Sequence, residues 1–331
     1  PKSPLTAKSA GFFMATVDGN DEIVMKVPMT WQPLTPQICE LGESPFWHPV
    51  EQQLYWVDIP GKQIHRCNIF MGSIESWGMP SEPGSIAPAQ SGGLVIALRD
   101  GIYRARDWGG TLHKLVDAQH DTSTTRFNDG KADPTGRFWA GTMYEPRTLA
   151  SAQLFSLNNG VLEAKVSHAT IANGLAWSPD AKTIYWADTP THTVRAWDWH
   201  AQTNTMTRER IFKQWPGKPE GWQFGMAGQQ QGYGGRPDGA AVDAEGNYYV
   251  AMFEGARICK LSPDGVELAS IAVPAQCPTM PCFGGDDLKT LYVTTARYNR
   301  SDAELQAYPQ SGCVFSMQVD VPGLRVNFYV D

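Results

Sequence analysis

The stretch GESPFWHPVEQQLYWVDIPGKQIHRCN at residues 42–68 has a counterpart in NGLAWSPDAKTIYWADTPTHTVRAWDW at residues 173–199. Both contain an opening motif, a turn, an aromatic strand ending in Asp, and a second alternating strand. NDGKADPTGRFWAGT (128–142), PDGAAVDAEGNYYVAMFEGARICKLSPDG (237–265) and PCFGGDDLKTLYVTTAR (281–297) take the same course, and SIAPAQSGGLVIALRDGIYRA (85–105) follows it more loosely. Six units therefore start near Glu43, Ser85, Asn128, Asn173, Asp238 and Thr279, at successive separations of 42, 43, 45, 65 and 41 residues.

Within each unit, short runs of Val, Ile, Tyr, Trp and Phe alternate at period two and are punctuated by Asp-Gly, Pro-Asp or Gly-Gly. This is strand-and-turn patterning that leaves no room for long helices. One unit makes one small antiparallel sheet, and repeats of roughly 40–50 residues with this content are propeller blades. The expected fold is all-β, a six-bladed β-propeller of four-stranded antiparallel blades around a central channel, spanning residues 37–331 as a single domain. The WD40 class has the right period, but its Gly-His and Trp-Asp pair is not found in register. Residues 1–36 form an N-terminal extension in which EIVMKVPMTW (22–31) is a candidate outer strand for the last blade, with the first 20 residues mobile. An insertion at about 205–235, rich in Gly and Gln, is expected either as a lid over the channel or as a tolerated surface loop.

A net charge of −7 with no basic run excludes general nucleic-acid or anionic-membrane binding. No apolar run approaches the roughly 18 residues of a membrane span, and AGFFMATV is too short for a signal peptide. A soluble cytoplasmic protein, monomeric or weakly homo-oligomeric, is the expectation. The six cysteines are spread thinly and are read as buried and reduced. Cys277 and Cys282 have neither a second pair nor a nearby His to make a zinc knuckle.

In a propeller, equivalent repeat positions from all blades meet around one channel. Taken singly, Asn-Asp-Gly, Asn-Gly and Pro-Asp-Gly are ordinary turn sequences, and Asp129-Gly130 is read as such a turn. Taken together with Glu43, which sits against an aromatic run, they put two carboxylates and two amides on one rim. Two carboxylates ~4 Å apart with partial screening repel by about 4 kcal/mol, and a divalent cation neutralises both. The all-oxygen donor set favours calcium, magnesium or manganese, while zinc and iron(II) can also occupy such a site. The seven histidines form no close pair, and no Gly-x-Ser-x-Gly elbow or phosphate-binding loop is present.

The motifs LGESPFWHP, RFNDGKADPTGRFWAGTM, IANGLAWSPDAKTIYWAD, RPDGAAVDAEGNYYVA and CFGGDDLKTLYVTTAR, in this order, resemble those of the SMP-30/gluconolactonase family. The resemblance covers residues from about 40 to 300. It implies a six-bladed propeller that binds one divalent cation, calcium first, and hydrolyses a small-molecule sugar lactone. It also implies Glu43, Asn173 and Asp238 as metal ligands and Arg126 and Asn128 as substrate-binding residues. Asp238 is expected to double as the catalytic group that takes the proton of the attacking water. Many members carry an acidic pair after AGTM, whereas Tyr144-Glu145-Pro146 keeps one acid, so Glu145 is the remaining candidate for substrate binding. A non-catalytic calcium-binding propeller, and an aryl ester or phosphotriester hydrolase using the same site, are the rival readings.

Overall fold

A computed structural model of the chain describes residues 30–34, 37–225 and 233–331. The period-two runs form six four-stranded antiparallel sheets, the blades of a six-bladed β-propeller. The innermost strands are, in chain order, Gly42–His48, Pro83–Pro88, Thr125–Ala132, Ala172–Trp177, Arg236–Val242 and Pro278–Gly284. Each repeated unit thus starts on the channel and runs outward. In blade six the outermost strand is Gln32–Pro33, whose residues pair with Ser316 and Phe315. This pairing closes the ring by joining chain segments far apart in sequence. Of the stretch considered for this role, residues 22–29 lie outside the described residues, and the pairing begins just after it.

The aromatic second strands of the repeat build the layers between blades. Trp56, Trp139 and Trp186 occupy that strand in blades one, three and four, and all three are almost fully buried. Burying a side chain of this size contributes roughly 4–6 kcal/mol by area. The Asp that ends the strand in YWVD and YWAD has a structural task. Asp58 accepts the backbone N–H groups of Glu40 and Leu41 at 3.0 and 3.1 Å. Asp188 accepts those of Thr170 and Ile171, both at 3.0 Å. In each case the carboxylate ties down the chain just before it enters the inner strand, and so sets where that strand begins.

The inner strands are not regular. Pairing with the second strand shifts between Glu43 and Phe46, Phe127 and Gly130, Asn173 and Ala176, and Pro237 and Ala240. The expected turn at Asp129-Gly130 is therefore corrected: these residues form a bulge inside the continuous strand Thr125–Ala132. The chain reverses further on, at Asp133–Gly136, where the Asp133 carboxylate accepts the N–H groups of Thr135 and Arg137 at 2.7 and 3.2 Å. Bulges and tight turns both call on Asx-Gly pairs, so local sequence does not separate them. In blades one and four the residue after the site position adopts a left-handed backbone, Ser44 at φ 49° and Gly174 at φ 65°. Ser44 is held there by its hydroxyl, which accepts the Ile86 N–H at 3.0 Å.

Residues 205–214 form the outer strand of blade four, so the extra segment starts at Trp215 and not at 205. Residues 226–232 within it lie outside the described residues. All six cysteines are buried and free. Among the described residues, no helix is long and apolar enough to cross a membrane.

Candidate active site

The inner strands all begin at the same end of the channel, and a cavity of about 520 Å³ opens there. Glu43, Arg126, Asn128, Glu145, Asn173 and Asp238 all line it. Of the six register positions, the other two do not. Ser85 is fully buried with its hydroxyl unpartnered, and the Thr279 hydroxyl donates to Gly42 O at 2.6 Å inside the wall. All six inner strands carry such a shift, Pro83/Ser85 and Pro278/Met280 included, so the extra residue re-aims a side chain out of the ladder in every blade, and the short, buried Ser85 and Thr279 stop at the wall.

Asn128 is the hinge of a hydrogen-bonded chain across blades three to five. Its amide oxygen accepts from Arg126 Nη1 at 2.7 Å, and its Nδ2 donates to Asn173 Oδ1 and Ala172 O, both at 2.9 Å. Asn173 Nδ2 donates to Thr189 Oγ1 at 2.8 Å, and that hydroxyl donates to Pro237 O at 2.7 Å. The chain fixes both amide orientations, so that Asn173 Oδ1 is an oxygen with one lone pair still free. Arg126 is buried, and burial lowers its pKa against the opposing pull of Glu145 and Glu43. Glu145 stands at the rim, where it makes paired hydrogen bonds with Arg99 at 3.0 and 3.1 Å and lies 3.9 Å from Arg126.

The two carboxylates are electrostatically exposed to each other although shielded from water. Burial, followed by the charges of Asp238 and Asp129, pushes Glu43 well above the usual carboxylate range. Burial and Asp129 do the same to Asp238. Glu43 accepts the N–H of Ser44 at 3.0 Å, which leaves most of its acceptor capacity unused. Buried carboxylates with unspent lone pairs, beside an amide oxygen held in place, form a donor set suited to a hard divalent cation. Asp129 faces away from the mouth, accepting the Leu175 N–H at 3.0 Å.

A second group of possible metal donors, Cys39, Asp58 and His65, has its atoms within 4.8 Å of one another but lies outside the cavity. Most of its donors are engaged elsewhere, although His65 Nε2 is buried without a partner. Asp58 holds the backbone as described, His65 Nδ1 bonds Ser76 at 2.8 Å, and burial pushes the Cys39 thiol up to about 12. The trio reads as packing in blade one.

The sequence profile described as SMP-30/Gluconolactonase/LRE-like region matches residues 41–297. The chain belongs to this family. A 6-deoxy-6-sulfogluconolactonase of Pseudomonas putida is 41% identical over 286 residues, which cover 86% of this chain and 92% of that protein. Human regucalcin is 33% identical over 291 residues, covering 85% and 92% respectively. Among solved structures, a calcium-binding protein, regucalcin, from Agrobacterium tumefaciens superposes with a TM-score of 0.82 at 25% identity, over 91% of this chain and 97% of that one. Like these SMP-30/gluconolactonase relatives, the chain has its propeller, but the mouth also carries residues that repeat reasoning did not find. Arg147, Lys218, Arg236, Glu254 and Arg300 line the same cavity. Only Arg236, directly before the Pro-Asp-Gly motif, had a signal in the sequence, because a residue two positions before Asp238 on a strand shares its side.

Proposed function

We propose that the cavity hydrolyses the cyclic ester of a sugar acid, with Glu43, Asn173 and Asp238 holding one divalent cation, calcium in the first instance. The observation that carries this reading is the pair of buried, mutually repelling carboxylates beside an oriented amide oxygen, in a chain of the gluconolactonase family. When bound, such a cation supplies Lewis-acid polarisation of the ester carbonyl and lowers the pKa of a nearby water. Arg126 and Asn128 orient the sugar through its hydroxyls or ring oxygen, their own positions fixed by their mutual hydrogen bond. Glu145, itself steered by Arg99, bounds the substrate at the rim. Asp238 takes the proton of the attacking water on a carboxylate oxygen. The water oxygen bonds to the carbonyl carbon, the ring C–O bond breaks, and Asp238 returns the proton to the leaving oxygen, which ends as a hydroxyl of the open-chain acid. A lactone is an activated ester, so one base, one oriented sugar and one polarised carbonyl suffice.

A panel of sugar lactones, offered to chelator-stripped protein and to protein restored with calcium, magnesium, manganese, zinc or iron(II), tests this reading. Turnover is expected only after a cation is restored. Equal turnover in stripped protein removes the cation from the proposal, and no turnover of any lactone removes the hydrolase.

A further inference from the structure

One side of the mouth gathers Arg147, Lys218, Arg236 and Arg300 around a single lining carboxylate, Glu254. Glu254 is almost fully buried, and its carboxylate lies 2.9 Å from Lys218 Nζ, 3.2 Å from Arg300 Nη1 and 3.6 Å from Arg236 Nη2. It also accepts the Tyr233 hydroxyl at 2.9 Å. Arg300 has a further partner in Glu304, at 2.8 and 2.7 Å. Arg236 and Arg300 both rest against the Phe253 ring, their guanidinium carbons 5.3 and 5.6 Å from its centroid. A fourth cation, Arg147, is exposed at the mouth and makes no ion pair among the described residues. The charges lining the whole cavity balance, five cations to five carboxylates, but on this wall Arg147 is in no ion pair among the described residues and Arg236 reaches Glu254 only at 3.6 Å.

The arrangement is costly without a ligand. Arg236 Nε is buried with no acceptor, and Arg147 lines the same cavity without an ion pair among the described residues. Glu254, which collects the cations, sits at φ 65°, a conformation that costs a non-glycine residue roughly 1 kcal/mol or more. One buried carboxylate needs one good cation. The under-partnered guanidinium groups of Arg147 and Arg236, planar and rich in donors, match a tetrahedral oxyanion. Arg236 is also two residues from Asp238 on the same strand, so an anion bound here is within one sugar length of the proposed reacting ester.

Building on the lactonase reading, we infer that Arg147, Arg236 and Lys218 form a subsite for a sulfonate or phosphate group carried by the sugar lactone at the end remote from its ester carbonyl. The subsite sets specificity: a neutral hydroxymethyl at that end offers these cations no charge.

The test compares kcat/KM for glucono-lactone with its 6-phospho and 6-deoxy-6-sulfo forms. Either anionic form is expected to exceed the neutral lactone by about 100-fold, and the two anionic arms tell which oxyanion fits better. Arg147→Gln, at an exposed position, and Arg236→Gln, checked for folding by thermal melting, are each expected to cut the anionic-to-neutral ratio at least tenfold. In parallel, calorimetry measures 6-phosphogluconate against gluconate, with the phosphorylated acid expected to bind at least tenfold tighter to wild type and not to Arg147→Gln. An anionic preference below threefold in both assays, or a ratio unchanged in both variants, overturns the subsite. Preserved tight binding of 6-phosphogluconate with no lactone turned over supports the subsite and removes the lactonase reading alone.

Discussion

Replacing Asp238 with Asn takes one negative charge out of the buried group formed with Glu43 and Asp129 while keeping the side-chain shape. Two carboxylates ~5 Å apart at an effective dielectric near 20 repel by roughly 3 kcal/mol. Because both Glu43 and Asp238 are already pushed toward the protonated form, that figure is a ceiling on what metal-free protein gains from the substitution. At about 2 °C per kcal/mol for a domain this large, the metal-free variant melts as high as metal-free wild type or up to roughly 6 °C higher. The sign reverses when cation is present. A ligand at 100 times its Kd stabilises the folded state by about 2.7 kcal/mol, or roughly 5 °C, and the variant loses most of that gain along with its ligand carboxylate. The assay is a thermal melt of chelated wild type and Asp238→Asn, each with and without saturating calcium, with lactone turnover measured on the same samples. Two results refute the reasoning: a variant that keeps the wild-type calcium shift, or a metal-free variant that melts clearly below metal-free wild type.

Asn128→Ala breaks the bridge between Arg126 and Asn173, so kcat is expected to fall about 10²-fold while bound metal, measured by elemental analysis, stays within a factor of two of wild type. Lys131 donates to Leu175 O at 2.9 Å and to Ala240 O, and its charge opposes that of buried Asp129. Lys131→Met is therefore expected to cost about 3–5 kcal/mol in urea unfolding, and a loss below 1 kcal/mol refutes its role as a tie between blades. Burial pushes the Glu254 pKa up, but Arg236, Lys218 and Tyr233 outweigh it and hold the group below the ordinary 4.5. Its contribution is thus fully present above pH 4.5 and is lost as pH falls through the lower folded-state value. Glu254→Gln should be less stable than wild type at neutral pH and lose less on acidification below 4.5, as read by melting temperature against pH.

The propeller is legible in the sequence because its defining features are periodic. Tyr-Trp-x-Asp recurs, and so do the starts at Glu43, Asn128, Asn173 and Asp238 that line the cavity. What each recurrence does is less legible. Asp58 and Asp188 are repeated carboxylates of the same residue type as Asp238, yet they cap backbone amides. The difference is that they end the second strand of a blade, whereas Asp238 sits at a bulge on the innermost one. Arg147, Lys218 and Arg300 have no periodic signal at all. They come from connections of different length in different blades, and only the closed ring brings them to one wall.

The bulge connects the fold to the chemistry of the mouth. A regular inner strand hydrogen-bonds to its own blade along its whole length, and its alternate side chains point across the channel or into the layer between blades. With the extra residue, Asn128 turns its amide to Asn173 while the next side chain, Asp129, reaches the Leu175 N–H of the following blade. Successive residues therefore do different work, one orienting the cavity and one binding blade to blade. The same irregularity recurs at Glu43, Asn173 and Asp238. Removing it from any one blade would shift that blade's register by one residue and turn its site side chain away from the cavity. The Asx-Gly and Glu-Ser pairs are thus required twice over, by the backbone that must bulge and by the side chain that the bulge delivers.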